Sequence, residues 1–121
     1  MEKVKYYWVY ILLCKNGNYY TGYTNNLMRR YLQHLTGKGY CKYTRSFPPS
    51  KILQSWIIFE NQGVAMKVER FIKSKSKKKK TSFIKNPELL RNIILNSFNP
   101  DCQIYTFDPA TIYTFSSIPY K

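Results

Sequence analysis

Residues 6–14, YYWVYILLC, run for nine positions without a charge, a glycine or a proline, and aromatic and branched side chains dominate them. The run is too short to cross a bilayer, so it reads as a strand covered on both faces. Asn16-Gly17 then reverses the chain into YYTGYT, residues 19–24, which predicts a β-hairpin. Loop length decides what the hairpin can do. A two-residue turn at Asn16-Gly17 would pair Lys15 with Asn18 and send Tyr10 and Tyr20 to opposite faces. A three-residue loop, Lys15-Asn16-Gly17 with Gly17 left-handed, pairs Tyr10 with Gly22 and places both tyrosines on one face. We expect the three-residue loop, because a residue without a side chain opposite Tyr10 leaves room there.

Thr24, Asn25 and Asn26 are N-cap candidates for a helix in which Leu27, Met28, Tyr31, Leu32 and Leu35 share one side, with Gly37 as its stop. Arg30 and His34, at i and i+4, stand together on the polar flank of that stripe. GKGYCKYTRSFPPS, residues 37–50, has no clear period and reads as a long loop. KILQSWIIF reads as a second buried strand, Asn61-Gln62-Gly63 as a turn, and Val64, Ala65, Val68, Phe71 and Ile72 as the stripe of a second helix. Glu69 lies at the flank of that stripe. Seven lysines fall between Lys73 and Lys85, and NPELLRNIIL suggests a helix opened by Pro87. Residues 96–121 are poor in charge, and their IYTF and TIYTF echo one another; they either pack on the domain or stay irregular. The expected architecture is α+β, a small three-stranded antiparallel sheet opened by the hairpin and flanked by helices.

Charge narrows the partners. Twenty Lys and Arg against six Asp and Glu give a net charge of +14, a field that favours polyanions. Nucleic acid is the leading partner. A membrane surface would call for an amphipathic basic helix, which the lysine run does not make. Lys38, Lys42 and Arg45 in the loop, with Lys73, Lys77, Lys78, Lys79 and Lys80, are the candidate phosphate contacts. Cys14, Cys41 and Cys102 are widely spaced and include no C-x-x-C pair, which argues against a disulfide framework or a zinc site and for a reducing cytoplasm. We expect a monomer or weak dimer.

WVYIL, YYTG, RRYLQH and AMKVERFIK, in this order, resemble the GIY-YIG nuclease superfamily, in particular its small single-domain bacterial members and the related structure-specific DNA nucleases. The two name motifs fall on Val9-Tyr10 and Tyr20-Thr21-Gly22, with Trp8 in place of the first motif's glycine and Thr21 in place of the second's isoleucine. The likeness covers residues 5–85, including KSKSKKKKTSFI, and sets a catalytic domain at 1–85 before a C-terminal helix and tail at 86–121. It implies an endonuclease acting on DNA, with Tyr10, Tyr20, Arg30, His34 and Glu69 as catalytic residues and Glu69 as ligand of a single Mg²⁺ or Mn²⁺. Gly22 would let the substrate backbone approach. One carboxylate suits an ion that keeps most of its waters. In these roles Tyr10 is the general base or its hydrogen-bonded equivalent, Tyr20 positions the water, Arg30 clamps the scissile phosphate, and His34 orients a tyrosine hydroxyl or shuttles its proton. The competing expectation is a nucleic-acid-binding module with the same fold and no turnover.

Overall fold

The hairpin forms with the three-residue loop. In the computed structural model, which describes residues 4–39, 41–98 and 100–107, β1 (Tyr6–Cys14) pairs with β2 (Tyr19–Thr24), Tyr10 opposite Gly22 and Leu12 opposite Tyr20. Gly17 has φ +84°, and the Gly17 N–H donates to the Cys14 carbonyl at 2.9 Å. A glycine takes that left-handed conformation at no steric cost, which fixes the register.

The sheet has four strands, not the expected three, in the order β2-β1-β3-β4, all antiparallel. β3 (Pro49–Phe59) is the second apolar segment, extended by two residues at its start. The added strand, β4 (Ile104–Phe107), is the first of the two echoing tail segments. Its alternation explains the pairing: Ile104 is buried on one face, while Phe107 meets Trp8 edge-on on the other, ring centroids 5.0 Å apart. The second echo, in residues 108–121, lies outside the described residues.

Each face of the sheet buries a separate cluster. Val9, Ile11, Trp56, Ile58 and Ile104 pack against α3 (Gln62–Lys73), α4 (Lys77–Lys85) and α5 (Pro87–Ser97) through Val64, Ala65, Val68, Ile72, Phe83, Leu90 and Ile94. Caps start these helices where the sequence offers them. Asn61 Oδ1 accepts the Val64 N–H at 3.0 Å, Ser76 Oγ accepts the Lys79 N–H at 3.1 Å, and Pro87 opens α5. On the opposite face Tyr10, Leu12 and Ile52 pack against Leu27 and Tyr31 of α1 (Leu27–Thr36).

Two expectations change here. The buried positions of α1 are Leu27, Tyr31 and His34, while Leu32 and Leu35 are exposed. The helix is turned so that an imidazole faces the sheet, which is tolerable because both ring nitrogens find partners. Within the segment read as loop, Lys42–Ser46 form a short helix, α2, with Cys41 and Thr44 buried. Five residues with one buried side chain cannot display a helical period. Among the described residues no helix is long and apolar enough to cross a membrane.

Candidate active site

The hairpin register puts Tyr10 and Tyr20 side by side, ring centroids 6.5 Å apart, and α1 brings His34 to within 4.9 Å of the Tyr20 ring. The Tyr10 hydroxyl and His34 Nε2 are 2.8 Å apart in a fully buried pair. The second imidazole nitrogen, Nδ1, is 2.7 Å from Thr44 Oγ1, whose hydroxyl can donate onward to the Cys41 carbonyl at 3.4 Å. One tautomer satisfies the whole chain. With the Thr44 proton on Cys41, His34 Nδ1–H donates to Thr44, Nε2 is left as acceptor, and the Tyr10 O–H donates to it.

The electrostatics follow from burial. Desolvation pushes the Tyr10 hydroxyl well above the usual tyrosine range, helped by Tyr20 and by the Glu69 charge; the Arg30 guanidinium opposes this by charge and hydrogen bond and does not overcome it. His34 is pushed down to about 4, first by burial and then by the Arg30 charge. At neutral pH Tyr10 therefore keeps its proton and His34 is neutral. Burial thus outweighs the neighbouring cation, and Tyr10 is a buried donor held on an imidazole acceptor.

Gly22 also serves a different purpose from the one expected. A Cβ there would sit 2.5 Å from the Tyr10 oxygen and 2.7 Å from Cζ, so the space opposite Tyr10 is filled by the Tyr10 ring itself. Glycine is required for the tyrosine to lie flat across β2. Arg30 Nη1 donates to Gln33 Oε1 at 2.9 Å, one helical turn away, which holds the guanidinium beside the Tyr10 hydroxyl.

Glu69 stands on α3, which belongs to the layer on the other face of the sheet, where it packs on β1 and on the edge strand β2. The carboxylate is close enough to act on Tyr10 electrostatically, and one of its oxygens lies 3.4 Å from the Lys73 ammonium at i+4. Lys73 is half exposed and Glu69 mostly buried, so the pair sits at the edge of the α3 core stripe. The candidate phosphate contacts divide. Lys38, Lys42 and Arg45 are exposed around α2, with the Arg45 chain against Gly37. Lys73, Lys77 and Lys80 line a cavity of about 400 Å³ beside β2, and Lys79 lies over the Phe83 ring, 5.7 Å from its centroid. Lys78 is exposed.

Sequence reasoning missed Thr44, Gln33 and Tyr43. Gln33 was findable, since it lies at i+3 from Arg30. Tyr43 stacks on Tyr20 at 5.9 Å with planes 22° apart, but the short helix carrying it and Thr44 leaves no periodic trace. Thr44→Val keeps the shape of the side chain and strands the buried His34 Nδ1–H. It is expected to lower stability by about 1–3 kcal/mol, with Thr44→Ser restoring most of the loss, as read by urea unfolding.

A family model described as the GIY-YIG catalytic domain matches residues 6–82. A UPF0213 protein of Streptococcus agalactiae is 44% identical over 85 residues, covering 70% of this chain and 93% of its own. A UPF0213 protein of Xanthomonas campestris is 37% identical over 90 residues, covering 74% of this chain and 86% of its own. Among solved structures, the solution NMR structure of a UPF0213 protein from Bacillus halodurans is 36% identical, with a TM-score of 0.44, covering 74% of this chain and 96% of that one. The matched span contains the hairpin, the helices that carry Arg30, His34 and Glu69, and the run of lysines, and the chain belongs to the GIY-YIG nuclease superfamily.

Proposed function

We propose that this protein is a divalent-metal-dependent endonuclease that hydrolyses DNA phosphodiester bonds, with branched, nicked or single-stranded DNA of repair and recombination as its substrate forms. The observation that carries the reading is the buried Tyr10–His34 pair with the Arg30 guanidinium at the same hydroxyl. A packing tyrosine needs neither a histidine acceptor nor an arginine, and both cost desolvation to assemble.

The donor set fits one kind of ion. Among the described residues no three His, Cys, Asp or Glu side chains gather, and Glu69 is the acid whose charge reaches the Tyr10 hydroxyl. This suits Mg²⁺ or Mn²⁺ held by one carboxylate, with water and substrate phosphate completing the shell, and it does not suit a two-metal site. When bound, such an ion supplies positive charge to the leaving oxygen.

The remaining chemistry belongs to the chain. Arg30 binds the scissile phosphate and meets the charge that develops as the phosphorane forms. Tyr20, half-buried at the mouth of the pair, positions the attacking water. Neither Tyr10 nor His34 alone is a base matched to neutral pH, so the water proton passes to the Tyr10 oxygen as the Tyr10 proton passes to His34 Nε2. No free phenolate forms, and the resulting imidazolium lies near the new negative charge on phosphorus.

The second reading, a nucleic-acid-binding module without turnover, is favoured by the Glu69–Lys73 contact, which partly neutralises the acid. The two are separated by incubating the protein with branched, nicked and single-stranded DNA in Mg²⁺ and again with excess chelator. Cleavage that requires the ion is expected. Binding to every form with cleavage of none would establish the module instead.

A further inference from the structure

The cavity beside β2 gathers more positive charge than a single internal phosphodiester calls for. Its lining brings Lys73, Lys77 and Lys80 against Tyr19, Tyr20 and Tyr43, with Thr21 also in the wall. Lys77 is fixed in place: its ammonium donates to the Gly17 carbonyl at 2.7 Å and lies over the Tyr19 ring, 4.9 Å from the centroid. The Tyr19 hydroxyl is tied to Thr81 Oγ1 at 3.0 Å. Among the described residues Lys73 has only the 3.4 Å contact with Glu69, and the Lys80 ammonium has no hydrogen-bond or ion-pair partner. Of the three ammonium groups only that of Lys73 has a carboxylate partner among the described residues, which leaves Lys77 and Lys80 without a counter-charge.

Thr21 adds an independent sign. It is 97% buried, being 3% exposed, and its hydroxyl oxygen has no hydrogen-bond partner among the described residues. A buried hydroxyl left unpaired costs stability that an apolar side chain of the same shape would avoid, so its place in the wall of a cationic cavity calls for a partner, which an occupant supplies once the hydroxyl turns toward it.

We propose that this cavity binds a nucleotide phosphomonoester, as carried by the end of a phosphorylated strand. A monoester bears about −1.5 to −2 charge at neutral pH and three acceptor oxygens, which answers the two free charges, whereas an internal diester bears only one. The volume of about 400 Å³ suits a single nucleotide, and the tyrosines offer aromatic surface for its base. The proposal rests on the nuclease reading only for the nucleic-acid nature of the occupant.

The test uses wild-type protein in excess chelator, so that cleavage plays no part. Four probes are compared at low salt: a short single-stranded oligonucleotide with a 5′-phosphate, the same with a 3′-phosphate, the same with hydroxyl ends, and dTMP. One phosphorylated oligonucleotide is expected to bind about tenfold tighter than the hydroxyl-ended one. Lys80→Ala and Thr21→Val should each remove that advantage, and Thr21→Val should leave hydroxyl-ended binding near wild type. Thr21→Val should also raise the melting temperature, which shows that its effect on binding is not a loss of fold. If dTMP binds as tightly as the phosphorylated strand, the source is free nucleotide; if it binds far more weakly, the source is a strand end. Equal affinity for phosphorylated and hydroxyl ends together with no dTMP binding, or an advantage that survives both substitutions, overturns the proposal. A protein that cleaves nothing in Mg²⁺ yet prefers the phosphorylated end would refute the nuclease reading and leave this one standing.

Discussion

Glu69→Ala is expected to reduce DNA cleavage on the order of 10³-fold, measured in single turnover with saturating protein, while DNA affinity in chelator stays within about twofold of wild type. The magnitude follows from the metal's share of transition-state stabilisation, roughly 4 kcal/mol, at 1.36 kcal/mol per decade. The helix makes the substitution a clean one. Val64, Ala65, Val68 and Ile72 bury the core stripe of α3, and Glu69 sits at its shoulder, so removing the carboxylate opens no core cavity. The competing role for Glu69 is its i,i+4 pair with Lys73. That role is worth about 0.2–0.5 kcal/mol and would leave any cleavage untouched. A variant that unfolds slightly earlier and cleaves at the wild-type rate would mean that the pair is the whole function of the residue.

What the sequence could reveal, and what it could not, divides along physical lines. The hairpin was legible because side-chain period and loop length leave two registers, and Gly17 and Gly22 choose between them. Helix α3 was legible because its five stripe positions recur at helical spacing, and four of them are buried. His34 was misplaced on a polar flank. Its burial depends on Tyr10 and Thr44, 24 and 10 positions away, and no local pattern encodes a partner at that range. Thr44 was hidden by the brevity of α2. Tyr10 was assigned a role that its environment resists, since composition reveals the cations nearby and not the desolvation that outweighs them. The fourth strand rests on four residues whose edge pairing to β3 is a tertiary event. The groups around the Tyr10 hydroxyl could therefore be picked out from sequence, while the protonation of Tyr10 and His34 awaited the packing.

Acidification should destabilise this fold through a single group. His34 is the only histidine in the chain, and burial together with the Arg30 charge lowers its pKa to about 4 from an ordinary 6.5. Between those values the unfolded chain binds a proton that the folded chain does not, so stability rises with pH across the window. The contribution is complete above about pH 6.5 and is lost as pH falls toward 4. The full difference is roughly 3 kcal/mol, of which about 2 kcal/mol is gone by pH 5, before the carboxylates titrate. Urea unfolding at pH 7 and pH 5 measures it, and His34→Gln, which cannot titrate, should flatten the dependence. Cleavage should fall over a lower range, set by the folded value near 4, because imidazolium cannot accept the Tyr10 proton. A lone imidazole resonance that titrates near 6.5 in the folded protein would place His34 in solvent, and the buried relay from water through Tyr10 would then have no acceptor.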